Sequence, residues 1–224
     1  PDHTPTGPGW ANGFVDGSSS WGTVMDMDAK SLRNLDLSQI PRVTWQLLRE
    51  GVDSSKSPLH TSTLATIGKH GPSARTVVLR HCDEEQRTLA CHGDVRSSKF
   101  REVRADPHAC WLLYDRERKL QLRLAGQLSI HVDDEFANNR WETCTPLGRA
   151  CYNTTVGPGA VLPQPAGAAN LIGNDSDAET ARNHFGVLAC TIDFMDWLVI
   201  SVKGHRRAQF SWRESGWEGA WINP

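Results

Sequence analysis

Between Arg75 and Lys99 the chain places two arginines at the ends of an apolar segment, R-T-V-V-L-R. After a second apolar run it places R-S-S-K at the start of a stretch with helical spacing. Guanidinium forks match the oxygens of a phosphate, and a helix start offers free N–H groups to the same anion. The hydroxyls of Ser97 and Ser98 and the ammonium of Lys99 add donors there. The chemistry to expect is the binding of a phosphate-bearing ligand. The plainer alternative is that Arg75 and Arg80 sit at strand ends and pair with carboxylates such as Glu84 or Glu102.

The elements that must position these groups can be read from side-chain period. In R-T-V-V-L-R the β-branched residues favour a strand, with Arg75, Val77 and Leu79 on one face and Thr76, Val78 and Arg80 on the other. T-S-T-L-A-T-I-G precedes it, joined through Lys69-His70-Gly71-Pro72 as a hairpin. R-T-L-A-C-H-G follows an acidic turn at Asp83–Gln86, and S-S-K-F-R-E-V-R-A-D reads as a short helix ending before Pro107. H-A-C-W-L-L-Y-D and L-Q-L-R-L-A-G-Q-L-S-I-H-V form another hairpin, with Gln121, Arg123 and Ala125 sharing a face.

Upstream, Val43, Leu47, Leu48 and Val52 recur at helical spacing between Leu35 and Asp53, and Pro41 suits a first turn after Ser38. Asp133–Trp141 is expected as a helix with Phe136 and Trp141 inward. Asn153–Asp177 is long for a structureless connection and is expected to serve as a lid or dimer arm. G-V-L-A-C-T-I-D, D-W-L-V-I-S-V-K, H-R-R-A-Q-F-S-W-R and W-E-G-A-W-I give three or four closing strands, with Ser215-Gly216 as a turn. The fold class is mainly β: an antiparallel Greek-key barrel with a few helices. Residues 1–28, rich in Pro, Gly and Ser, read as an extended tail, and residues 29–224 as one domain. Trp10, Phe14 and Trp21 suit that tail to lying across a partner or its own domain.

The formal net charge of −2 over 224 residues gives no global field for nucleic acid or an acidic membrane. No apolar run approaches the roughly 20 residues of a membrane-spanning helix, and no charged-then-apolar leader precedes the domain, so a cytoplasmic protein is expected. The six cysteines form no C-x-x-C pair and most lie in apolar runs, which reads as reduced core thiols. The histidines make no metal-binding pattern, so no metal is expected, and each lone histidine reads as a surface or satisfied core residue.

In their order, these motifs resemble the pyridoxamine 5'-phosphate oxidase family of FMN-binding split barrels, over roughly Leu59 to Pro224. R-T-V-V-L-R is similar to that family's phosphate-binding strand and G-D-V-R-S-S-K to its second FMN segment. Ala105-Asp106-Pro107, Gln121, Trp197 and K-G-H-R-R at 203–207 follow at the family's spacing. The resemblance implies an FMN cofactor, with Arg75, Ser98 and Lys99 on the phosphate and Thr76, Val77 and Val78 offering backbone groups to the flavin. It implies that Arg80 stands near both flavin and substrate, that His92 and Gly93 replace a tyrosine and a threonine, and that Gln121, Trp197 and Arg207 contact the cofactor, partly across a homodimer. Lys203 and His205 would face a small-molecule substrate such as a pyridoxine vitamer phosphate.

The implied activity is FMN-dependent oxidation, with hydride passing from substrate to FMN and oxygen as a reoxidant; no catalytic residue is assigned. One departure stands out: N-N-R-W-E-T-C-T-P-L-G-R, from Asn138 to Arg149, lacks the tyrosine, arginine and serine pattern with which the family holds the substrate phosphate. Arg140 and Arg149 are the available substitutes. The alternatives are an FMN-binding protein without turnover, for storage or sensing, and a split barrel that binds deazaflavin or haem.

Overall fold

The computed structural model describes residues 27–165, 178–214 and 216–224. The tail expected over residues 1–28 thus lies outside the described residues except for Met27 and Asp28. The same holds for the 166–177 part of the expected lid and for Ser215 of the expected turn.

Among the described residues nine strands build one antiparallel sheet: β1 (Thr61–Gly68), β2 (Gly71–Val78), β3 (His81–Asp83), β4 (Thr88–Asp94), β5 (His108–Asp115), β6 (Leu120–His131), β7 (Phe185–Val199), β8 (Arg206–Arg213) and β9 (Gly216–Ile222). Their order is β2-β1-β5-β6-β7-β4-β3, and β8 and β9 branch from β7. The chain passes from β2 to β4 through backbone bonds: Leu79 N donates to His60 O and Arg80 N to Ala90 O, both at 2.8 Å. These bonds bring the two ends of the sheet toward one another, as a split barrel requires.

The β1–β2 hairpin forms where expected because Gly71 takes φ +106°, a region open to glycine and strained for other residues. The closing strands number three, within the three or four expected. G-V-L-A-C-T-I-D and the D-W-L-V of the next run belong to a single strand, β7. Asp193, the last residue of the first run, lies at an irregularity opposite Ala125/Gly126, where the register with β6 shifts, and the strand continues through it. The N-terminal half of β7 pairs with β4 and its C-terminal half with β8, while β6 runs along both.

Among the described residues six helices surround the sheet: α1 (Ala29–Arg33), α2 (Ile40–Asp53), α3 (Ser98–Ala105), α4 (Glu135–Glu142), α5 (Pro146–Ala150) and α6 (Ala178–His184). A 3-10 turn, Leu37–Gln39, leads into α2; Gln39 Oε1 accepts from Asp36 N at 2.8 Å, and Pro41 sits in the first turn as expected. Ile40, Thr44, Trp45, Leu47, Leu48 and Gly51 form the buried stripe of α2. The main core also holds Phe100, Trp111 and Trp197, all fully buried, each contributing on the order of 2–3 kcal/mol of transfer free energy. A second, smaller cluster joins Ala90, Phe185, Val187 and Ala189 to Ala137 of α4, with Phe136, Trp141, Cys144 and Tyr152 packed on it. That cluster orients Phe136 and Trp141 inward, as the sequence suggested.

Candidate functional site

β4 carries two sets of side chains, one on each face. Cys91 and Gly93 point toward the barrel interior and α3; Ala90 and His92 point toward α4, α5 and the segment that follows them. Each face meets its own group of cations.

On the inner face Lys99 folds back over Gly93. A methyl on Gly93 would fall 2.5 Å from Lys99 Cε and 2.7 Å from Nζ. The ammonium donates to Ser97 Oγ at 3.1 Å, and Ser97 Oγ in turn donates to Asp94 O at 2.6 Å. Burial lowers the pKa of Lys99 and the charge of Arg75 lowers it further, while Cys91, Asp94 and Glu102 act in the other direction. Cys91 is fully buried and its thiol is pushed up to about 12 by burial, which keeps it protonated. Ser98, the first residue of α3, is exposed. Arg75 lies across from α3 and pairs with Glu102 at 2.5 Å. The carboxylate partner named as the plainer alternative is therefore present, beside the lysine expected to bind phosphate.

On the outer face His92 meets Phe185 edge to face, with centroids 5.0 Å apart, and its Nδ1 lies 3.5 Å from Cys144 Sγ. Its Nε2 is buried without a partner among the described residues, so it is neither a surface nor a satisfied core histidine there, contrary to expectation. Burial, then Arg80 and Arg140, push its pKa down to about 4, so the ring is neutral at pH 7. Burial raises the Cys144 thiol although Arg80, Arg149 and Arg140 all oppose it.

These three arginines converge, and no carboxylate among the described residues pairs with them. Arg140 stacks 5.7 Å from the Phe136 ring centre and donates to His81 Nδ1 at 3.4 Å. Arg149 stacks 5.0 Å from that of Trp141 and donates to Trp141 O and Glu142 O. The Nε of each is buried and has no partner among the described residues.

A residue outside the expected site ties the two faces together. Arg96 grips Asp94 through Nε (3.0 and 3.2 Å) and Nη2 (2.6 Å), and donates to Thr154 O (2.9 Å) and Oγ1 (3.0 Å). The segment after α5 is thereby strapped over the turn between β4 and α3. Arg96 stood in the R-S-S-K motif, but its partner lies 58 residues away, so only the folded chain reveals the role.

The other expected site residues fall elsewhere. Val77 is buried in the core, Thr76 is exposed and Val78 half-buried. β2 pairs with β1 alone, so one edge of its backbone has no strand partner among the described residues. Gln121 stands opposite Leu198, and Leu198 opposite Arg207, so Gln121 and Arg207 share the outer face of the sheet. Arg207 is held there by Asp196 (Nε 3.0 Å, Nη2 2.7 Å). Trp197 stands opposite Leu122 and points the other way, fully buried in the core. Lys203 and His205 lie on the β7–β8 turn, where Lys203 O accepts from Arg33 and His205 Nδ1 from Ser201 N. His92 pairs with Val187 near the opposite end of β7, which puts roughly 40 Å of extended strand between the two sets.

The fold is that of an FMN-binding split barrel. A pyridoxamine 5'-phosphate oxidase-related, FMN-binding protein from Nostoc punctiforme superposes with a TM-score of 0.69 over 85% of this chain and 100% of that one, at 21% identity. PhzG from Burkholderia lata, solved with tetrahydrophenazine-1-carboxylic acid, superposes at 0.64 over 91% and 100%, at 19% identity.

Residues 42–132 match the family model of the pyridoxamine 5'-phosphate oxidase FMN-binding domain. Pyridoxine/pyridoxamine 5'-phosphate oxidase of Burkholderia pseudomallei is 32% identical over 120 residues, 53% of this chain and 54% of the relative. The Burkholderia ambifaria enzyme is 37% identical over 90 residues, 40% of each chain. The chain thus spans about half the length of the curated relatives it matches.

The cofactor that goes with this domain is FMN. The inner-face residues fit its phosphate: Lys99 is desolvated, has one hydrogen bond of its own and sits beside Arg75, so an added anion would relieve the charge that burial disfavours.

Proposed function

We propose that the chain is an FMN-dependent oxidoreductase acting on a small substrate that carries a phosphate or carboxylate, with pyridoxamine 5'-phosphate the best specific candidate. The observation that carries this is the pair of cationic groups on the two faces of β4. Lys99 and Arg75 suit the cofactor phosphate; Arg80, Arg140 and Arg149 form a separate group without a carboxylate partner among the described residues. When bound, FMN supplies the hydride acceptor and the reaction with oxygen. The protein's part is position and charge. Arg80, Arg140 and Arg149 hold the substrate anion, and Trp141 and Phe136 fix two of those guanidinium planes by stacking. His92 stays uncharged and so adds no further positive charge beside them.

A homodimer belongs to this reading. Ile67, Leu112 and Tyr114 are large and exposed on the same sheet face as Gln121 and Arg207. Burying that face against a second copy would bring Gln121, Arg207, Lys203 and His205 of one chain toward the β4 region of the other, which the length of β7 prevents within one chain. The reading also places the protein in the cytoplasm, where its six free thiols would stay reduced. No helix among the described residues is long and apolar enough to cross a membrane.

The test is anaerobic titration of the FMN-loaded protein with pyridoxamine 5'-phosphate. Bleaching of the flavin band near ~450 nm, followed by peroxide release when air is admitted, is the expected result. Retained flavin that no amine, alcohol or nicotinamide donor bleaches would replace this reading with binding alone.

A further inference from the structure

Arg75 is one of the residues expected on the cofactor phosphate, yet its fork is already engaged. Nη1 donates to Leu64 O (3.1 Å) and Thr66 Oγ1 (2.7 Å), and Nη2 to Ser73 Oγ (2.8 Å) and Glu102 Oε2 (2.5 Å). Glu102 in turn accepts from Thr66 Oγ1 on Oε2 (2.5 Å) and from Ser73 Oγ on Oε1 (3.1 Å). A carboxylate from α3 therefore fills the anion position in front of the arginine, inside a ring of hydroxyls that would suit phosphate oxygens equally well. Both side chains are largely enclosed, at 21% and 14% exposure.

Resting on the FMN reading above, we propose that Glu102 is a built-in competitor for the cofactor phosphate, a carboxylate that occupies Arg75 and sets flavin affinity because the phosphate must displace it or share the fork with it. The surroundings of Glu102 support this. Burial raises its carboxyl pKa, but Thr66, Arg75 and Ser73 outweigh burial and hold it below the usual range, so the group is ionised at neutral pH. An arriving phosphate meets a fixed negative charge as well as two cations. Glu102 is one helical turn beyond Lys99, and its charge acts on the Lys99 ammonium too. The competing anion thus touches both groups that a phosphate would need. A carboxylate that only fastened α3 to the β1–β2 hairpin would help flavin binding by keeping the site in shape; a competitor opposes it. The two roles predict opposite signs.

The experiment compares dissociation constants for FMN and for riboflavin, which lacks the phosphate, by quenching of flavin fluorescence. The proteins are the full chain and its Glu102→Gln, Arg75→Ala and Arg75→Ala/Glu102→Gln variants, with circular dichroism as the check on folding. Glu102→Gln is expected to bind FMN about tenfold tighter, the order of effect for removing one like charge beside a bound anion. Riboflavin affinity stays unchanged, and the gain disappears in the double variant. Glu102→Asp, which keeps the charge and shortens its reach, shifts FMN affinity in the same direction by less, and serves if Glu102→Gln does not fold. FMN binding that is unchanged or weaker in both Glu102 variants, or FMN and riboflavin affinities that move together, would overturn the proposal while leaving the cofactor reading intact. Four folded proteins that bind neither flavin would overturn both.

Discussion

Gly93 and Lys99 exclude one another: the space that a side chain at 93 would need is filled by the lysine stem, with Phe100 Cε2 2.9 Å from the same point. The lysine can reach its place near Arg75 only because β4 carries no side chain there. Gly93→Ala is therefore expected to fold, since a flexible stem can move aside, but to lose FMN affinity by about tenfold or more as the ammonium is displaced. Flavin fluorescence titration beside a thermal melt separates the two effects.

Arg96→Ala should release the strap over the β4–α3 turn. It leaves Asp94, 6% exposed, without the partner whose hydrogen bonds and charge outweigh burial and hold its carboxyl below the usual range. Loss of one member of such a pair typically costs about 3 kcal/mol or more. Hydrogen exchange should quicken most in residues 152–160, where Thr154 loses both contacts with the guanidinium. Equal exchange in that segment before and after substitution would refute the strap.

The neutral His92 makes the fold sensitive to acid. Its pKa is held down to about 4 in the folded chain, against 6.5 for the ordinary group. Between these values the unfolded chain takes up the proton more readily, so stability is fully present above about pH 6.5 and declines as pH falls toward 4. Thermal melts across pH 7 to 4.5 should show the decline, and a folded His92→Gln should show less of it. An equal slope for both proteins would assign the acid sensitivity to other groups.

At Gly126 the expected outcome concerns stability alone. A methyl there would lie closer than any van der Waals contact allows to Thr191 O, an atom of the β7 main chain that cannot swing aside. Gly126→Ala is expected to cost about 3 kcal/mol, at the upper end for overpacking. A urea midpoint unchanged from the parent would count against the close approach of β6 and β7 at their register shift.

Much of the barrel could be read in the sequence because its signals are local. Gly71 marks a turn by itself, Pro107 ends α3, and the alternation through Arg75–Leu79 assigns faces without knowledge of any neighbour. Where a feature depends on two distant segments, the sequence is silent or ambiguous. Glu102 was one of two carboxylates that could meet Arg75, and nothing in its spacing prefers it to Glu84. The register shift opposite Asp193 has no mark in the sequence, which therefore leaves three or four closing strands open. His92 reads as an ordinary histidine until α4 and α5 bring Arg140 and Cys144 against it. Gln121 and Trp197 each fit a motif, but their opposite orientations follow from the pairing of β6 with β7, which no short motif encodes.

That pairing also orders the birth of the molecule. As the ribosome releases the chain, β4 and β6 emerge with unsatisfied flanks, and the strand that bridges them, β7, begins only at Phe185. Until it arrives, the turn bearing Lys99 and the wall bearing His92 have no common support. Nascent chains halted before residue 185 would present two bare sheet margins to their neighbours, so the arrival of β7 decides between a finished barrel and an adhesive intermediate.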